Sequence, residues 1–282
     1  MTSQIPDPSA EPVVPDLAAV LLSPAEAAGA ASQEKPILVV GPSLGTSATA
    51  LWSLAAEHLG SDFTVIGWDL PGHGSSPAAQ APFRVEDLAH AVVGLVERVR
   101  EELELPREVP QFAAGVSLGG AVTLQLGLTA ESPFQGLAAL CTAAHIGEPT
   151  MWQERAELVE RAGTPTMVEG SAKRWFAPGF LERHPQRATS LLHVLQQADR
   201  HSYGYACRAL GNYDIRDRLQ EISLPVLAVA GAHDAVCPPS DLEQVAEGVA
   251  DGKLVTLDDV AHQAPIEAPA ETARILKEFF HG

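Results

Sequence analysis

A serine hydroxyl becomes a useful nucleophile only when a base takes its proton and an acid orients that base. The chain offers a setting for each of the three. Gln111-Phe112-Ala113-Ala114-Gly115-Val116-Ser117-Leu118-Gly119-Gly120-Ala121 reads as a buried strand that ends in G-x-S-x-G and runs into a helix starting near Leu118. This pattern holds a serine on a strained strand-to-helix turn with its Oγ exposed. Gly115 and Gly119, two residues either side of Ser117, keep the crossing free of side chains. The following helix aims its N-terminus at the same spot, which favours a developing oxyanion. The strand–turn–helix context separates the motif from a Gly/Ser loop that carries the same letters by accident.

In such an arrangement the acid and the base follow the serine in the chain, each in a loop after a later strand. Asp234 lies in Gly231-Ala232-His233-Asp234, just past an apolar run ending at Ala230. His262 lies in Val260-Ala261-His262-Gln263-Ala264-Pro265, just past a run ending at Leu257. The rivals fit less well. Asp258 and Asp259 are too near His262 in sequence to orient it, and Asp214 and Asp217 precede a strand rather than follow one. His58, His90, His184, His193, His201 and His281 fall in helical or terminal stretches, while His233 and His73 read as loop and turn residues. The oxyanion hole needs two backbone N–H donors, one from the residue after the nucleophile and one from the loop after the first long strand. Leu118 is the first and Leu44 the candidate for the second. Ser43 is either a hydroxyl contact to substrate or a turn former.

The elements that must position these residues alternate. Ile37-Leu38-Val39-Val40 is a continuous apolar run, as expected of a strand buried on both faces. A helix is expected through Trp52 and Leu59, then a strand over 63–67. Val85, Leu88, Val92, Leu95, Val99 and Leu103 recur at helical spacing. The elbow strand follows, then a strand over 137–141. From 146 to about 221 no strand-like run occurs. Helices are expected there over 152–162, 168–176 and 188–210. The alternation resumes with strands over 225–230 and 253–257 and a closing helix bearing Ile275, Leu276, Phe279 and Phe280. Ahead of it all, 13–22 could add a short antiparallel strand at the sheet edge, and 23–34 is small, polar and turn-like. The pattern predicts an α/β fold, a mostly parallel doubly wound sheet with an inserted helical cap. Residues 1–16 are expected to be a disordered tail, 17–145 and 222–282 the core, and 146–221 the cap.

Composition narrows the partners. The 282 residues are 46% hydrophobic and 19% charged, with a formal charge of −18. That balance argues against nucleic acid and anionic membrane surfaces, and it obliges a site for an anion to supply its own local cations. Three scattered cysteines carry neither disulfide nor zinc spacing, and no Lys or Arg precedes Lys35 to make a basic leader. A cytoplasmic protein with no cofactor, no metal and a small-molecule substrate is expected.

Beyond the catalytic pattern, several stretches resemble one family. After Leu17 the chain is similar to the α/β-hydrolase superfamily, and within it to the 3-oxoadipate enol-lactonases. The signals are Ser43-Leu44-Gly45-Thr46, where most hydrolases have His-Gly, and Thr142-Ala143-Ala144-His145-Ile146-Gly147 followed by Met151-Trp152. Arg174-Trp175-Phe176-Ala177-Pro178-Gly179-Phe180, Gly204-Tyr205-Ala206-Cys207 and Asp214-Ile215-Arg216 extend the likeness. His145 stands where the family commonly has lysine, and Gly41-Pro42 replaces a more polar dipeptide. The resemblance implies a serine hydrolase opening an unsaturated five-membered lactone with an acetate side chain. Arg174 and Arg155 are candidates for the substrate carboxylate or else solvated helix residues, and His145 occupies the family's cationic position. Trp152 and Trp175 either line the pocket or pack the cap. A carboxylesterase, a carbon–carbon bond hydrolase and a perhydrolase would use the same triad. A non-catalytic binding protein of the same fold is the other class.

Overall fold

The computed structural model describes residues 14–22, 35–130 and 132–281. Residues 1–13 of the expected 1–16 tail and the turn-like stretch 23–34 lie outside them. Residues 14–18 lead without regular structure into a short strand, β1 (Ala19–Leu21).

Seven strands form one sheet: β1, β2 (Ile37–Gly41), β3 (Thr64–Trp68), β4 (Gln111–Val116), β5 (Gly136–Leu140), β6 (Pro225–Gly231) and β7 (Asp251–Leu257). Their order is β1-β3-β2-β4-β5-β6-β7. Only β1 runs antiparallel, paired with β3 at one edge. The central strands β2, β3 and β5 are buried at every residue. That is why they read as unbroken apolar runs and not as alternation. Helices cover both faces: α1 (Ala48–Leu59) packs against α11 (Pro269–His281), α2 (Val85–Glu102) against α3 (Leu118–Leu126), and α9 (Pro239–Gly248) on β6 and β7. A four-residue helix, α10 (Ala264–Glu267), precedes α11.

The strand order explains where a site can form. From β2 the chain crosses to β3 on one side, whereas β4 lies on the other side of β2 and leads on to β5. Loops leaving β2 and β4 therefore diverge, and the crevice at the carboxyl ends of those strands is the usual ligand position in such sheets. The register aligns these ends, with Gly41 opposite Gly115, Val116 opposite Leu140, and Gly231 opposite Leu257.

Between β5 and β6 the chain makes α4 (Pro149–Ala162), α5 (Val168–Trp175), α6 (Phe180–Arg183), α7 (Pro185–Gln197) and α8 (Arg200–Gly211). The single helix expected over 188–210 is two. Asp199 breaks it: its side chain accepts the Ser202 N–H at 2.8 Å as an N-cap, and its own N–H donates to Gly72 O at 2.8 Å. Helices α4 and α8 pack along each other, joined by a two-pronged Arg208–Glu160 pair at 2.6 and 2.9 Å. Cys141, Cys207 and Cys237 are free and buried. No helix among the described residues is long and apolar enough to cross a membrane.

Candidate active site

Ser117 sits at the β4–α3 junction with φ 56° and ψ −118°, a left-handed backbone that a non-glycine residue adopts only under constraint. The constraint is visible. Ser117 N donates to Leu140 O at 3.0 Å, and Thr142 Oγ1 donates to Ser117 O at 2.7 Å. A Cβ on Gly115 would meet Gly119 O at 2.1 Å, and one on Gly119 would meet Pro42 O at 2.6 Å. Both positions must be glycine for the crossing to close. Strain of this kind costs about 1–3 kcal/mol. It is held between β4, buried at every residue but Phe112, and the wholly buried α3.

Asp234 and His262 meet as the reading of the sequence expects. His262 Nδ1 lies 2.8 Å from Asp234 Oδ2, and both side chains are almost wholly buried. The other carboxylate oxygen, Oδ1, accepts the N–H groups of Val236 at 2.7 Å and Cys237 at 3.0 Å. An ionised carboxylate only accepts, so the proton between the two side chains belongs to Nδ1 and Nε2 is left free to act as a base. The main chain of His262 is tied as well, its N–H donating to Trp175 O at 3.1 Å.

Gly119 N donates to Pro42 O at 3.0 Å, which draws the loop after β2 over the N-terminus of α3. That loop carries Leu44, and Leu118 opens the helix. Neither amide donates to another described residue. Two free N–H groups beside the serine are what an oxyanion hole requires.

Ser117, His262 and Leu44 line one cavity of about 210 Å³. Helices α4, α5 and α8 supply the opposite wall. Trp152 and Trp175 are apolar parts of it, with Ile146, Met151 and Val236 beside them. The polar part is Arg155, Arg174, Ser171 and Tyr203. The Arg155 guanidinium stacks 4.6 Å over the Trp152 ring, a cation–π contact. Among the described residues neither Arg155 nor Arg174 has a carboxylate partner; Arg107, Arg183, Arg187 and Arg200 lack one too, but they stand outside the cavity. Burial first, and then the Arg155 charge, hold Arg174 below the ordinary arginine range. Burial pushes the Tyr203 phenol up, and both arginine charges pull it back. The pocket holds two like charges, and none of its lining residues is a carboxylate.

Two expected contacts are corrected. His145 is not in the cavity wall: its main chain bridges to Asp214, and its Nδ1 lies 3.2 Å from Tyr213 O. Ser43 is buried outside the cavity wall, its hydroxyl donating to Gln263 Oε1 at 3.0 Å, the turn-forming alternative of the two expected for it. Reading the sequence also missed several wall residues, two of them polar. Ser171 lies three residues before Arg174 on α5, one turn away on the same face. Tyr203 looks like a core aromatic, four residues before the buried Cys207. No group of His, Cys, Asp and Glu able to hold a metal occurs among the described residues.

The family profile described as serine aminopeptidase, S33, matches residues 32–269. The chain is 33% identical over 237 residues to 3-oxoadipate enol-lactonase 2 of Acinetobacter baylyi, covering 84% of this chain and 85% of that one. It is 30% identical over 226 residues to the pimeloyl-[acyl-carrier protein] methyl ester esterase of Neisseria meningitidis, covering 76% of this chain and 82% of that protein. Among solved structures it is similar to the enol-lactonase from Burkholderia xenovorans, with a TM-score of 0.84, 26% identity, and 94% and 96% of the two chains covered.

Proposed function

Because this chain belongs to the α/β-hydrolase superfamily, we propose that its hydrolytic reaction is the opening of a small, carboxylate-bearing enol-lactone, 3-oxoadipate enol-lactone in the first instance. The observation that carries the reading is the pair of unpaired arginines, Arg155 and Arg174, in the same cavity as Ser117 and His262. A chain with a formal charge of −18 would not keep two cations together in a pocket without an anion to receive. The cavity volume, about 210 Å³, suits a substrate below drug size. The relatives named enol-lactonases point the same way.

In this reading residues 146–221 act as a cap over the core. The arginines on α4 and α5 hold the acetate carboxylate and set the lactone carbonyl against Ser117. Ser117 Oγ attacks that carbonyl while His262 Nε2 takes the hydroxyl proton, and Asp234 steadies the imidazolium. The Leu44 and Leu118 N–H groups receive the oxyanion. Collapse breaks the ring C–O bond, and His262 returns its proton to the leaving enol oxygen. The enol stays attached to the acyl chain. Its tautomerisation to a ketone removes the internal nucleophile that could reclose the ring. Water, deprotonated by His262, then attacks the acyl-Ser117 ester and releases 3-oxoadipate.

The test is the ultraviolet loss of enzymatically generated 3-oxoadipate enol-lactone, with S117A as control. Rapid loss is expected, falling about 10⁴- to 10⁶-fold in S117A. No loss, together with serine-dependent hydrolysis of simple aryl esters, would discard the lactone and leave a carboxylesterase, the activity named for the Neisseria relative. Activity retained in S117A would discard the acyl-enzyme.

A further inference from the structure

One carboxylate fastens the main chain on both sides of His262. Glu267 ends α10, and its Oε1 accepts the N–H groups of Ala261 at 3.1 Å and Gln263 at 3.0 Å, the residues immediately before and after the histidine. Its Oε2 accepts the Ala177 N–H at 2.7 Å, two residues past the end of α5. Trp175, the last residue of that helix, accepts the His262 N–H through its carbonyl at 3.1 Å. Gln263, held by its main chain to Glu267, receives the Ser43 hydroxyl through its side chain at 3.0 Å. The loop of the base, the end of the helix bearing Arg174 and Trp175, and the turn bearing Leu44 are thereby joined, and Glu267 is where three of the bonds meet.

The chemistry of the anchor is restrictive. All three partners are N–H donors, so both oxygens must accept, and among side chains of this length only an ionised glutamate does that. Glutamine would set its own N–H₂ against an N–H at one end. Bonds of this charge-assisted kind are the stronger ones. Burial pushes the Glu267 carboxyl above its ordinary value, while the three N–H donors and the nearby His262 ring oppose it. Glu267 is not part of the cavity wall, so any influence on the reaction passes through the groups it holds.

We propose that Glu267 is a positioning residue that keeps the His262 imidazole in register with Ser117 and with the arginine-bearing wall. The proposal rests on the reading of His262 as the base. Two readouts separate it from a purely structural role and from that reading. The first is the downfield proton resonance of His262 Nδ1–H, which reports the bond to Asp234 without any substrate. The second is the rate at which a fluorophosphonate labels Ser117.

In E267Q the resonance is expected to broaden or move. Labelling should slow about 10- to 100-fold while the cooperative thermal transition persists, since a misplacement of about 1 Å has effects of that size. A resonance and a labelling rate unchanged from the parent would overturn the proposal. If E267Q does not fold, E267D decides, because it keeps an ionised carboxylate but withdraws it by one methylene from the three N–H donors. There a smaller broadening is expected, and an unchanged line overturns the idea. A parent protein that shows the resonance but resists the phosphonate would instead sink the proposed function, and the E267Q resonance would still judge Glu267.

Discussion

At the scale of single residues, the arginine pair makes the sharpest demand. In the empty protein Arg155 and Arg174 repel each other, and a bound carboxylate relieves that repulsion as well as accepting their N–H groups. Removing either cation should therefore weaken substrate binding. For Arg174→Ala or Arg155→Ala, KM for a carboxylate-bearing substrate should rise about 10- to 100-fold, the worth of one charge-assisted hydrogen bond. The melting temperature should stay level or rise in Arg174→Ala, whereas Arg155→Ala also gives up its stack on Trp152. Hydrolysis of an uncharged aryl ester should keep its kcat. Steady-state kinetics on both substrates with a thermal scan checks this, and a KM unchanged in both variants would exclude the arginines as the anion site. The same residues mark how far sequence reading reaches. Ser117, Asp234 and His262 were legible because their positions follow from strand order and from glycine spacing, both written locally. Ser43 and His145 were ambiguous because their partners, Gln263 and the Tyr213–Asp214 segment, are distant in the chain.

At the scale of elements, the cavity wall depends on how α4 and α8 are held, since α4 carries Trp152 and Arg155 and α8 carries Tyr203. The bidentate Arg208–Glu160 pair links them, and Arg208 Nε also donates to Gln153 Oε1 of α4 at 3.2 Å. The Arg208 guanidinium holds Glu160 below the usual carboxylate range. A depressed carboxylate gives stability that is present above its unfolded pKa and is lost as pH falls through the folded value. Arg208→Ala should cost about 1–2 kcal/mol near neutral pH, less than for a fully buried pair because both groups keep some solvent. It should also reduce the loss of stability at acid pH. Hydrogen exchange should quicken in α4 and α8 before it does in the sheet, and uniform exchange would show that the pair does not set local order. These helices were readable as helices but not as a wall. Periodicity alone made 188–210 one element, because the break at Asp199 is sealed by the Gly72 carbonyl, more than a hundred residues earlier. The sheet was read nearly whole, since strands buried on both faces announce themselves as apolar runs.

At the scale of the whole molecule, the contact between core and helical segment contains a titratable group that acid should disturb. His73, in the turn after β3, is fully buried. Its Nδ1 donates to Pro71 O at 2.9 Å and its ring stacks at 6.0 Å on Tyr203 of α8. Its Nε2 has no partner among the described residues. Burial lowers its pKa from 6.5 to about 4. The neutral ring therefore contributes stability that is complete above pH 6.5 and falls away as pH descends through the folded value. Between pH 6.5 and 5 the loss should be about 2 kcal/mol at 1.36 kcal/mol per unit. A second influence has the opposite sign. The formal charge of −18 repels itself, and protonating carboxylates relieves that repulsion, chiefly below pH 5 and less at high salt. Urea unfolding at pH 7, 6 and 5 in several tenths molar salt isolates the histidine. The parent should lose stability stepwise across that range. His73→Asn, which keeps a donor for Pro71 O but cannot titrate, should begin lower at pH 7 and show a flatter slope. Equal slopes in the two proteins would mean that the buried ring is not what couples this fold to acid, and that the link between β3 and α8 survives its protonation.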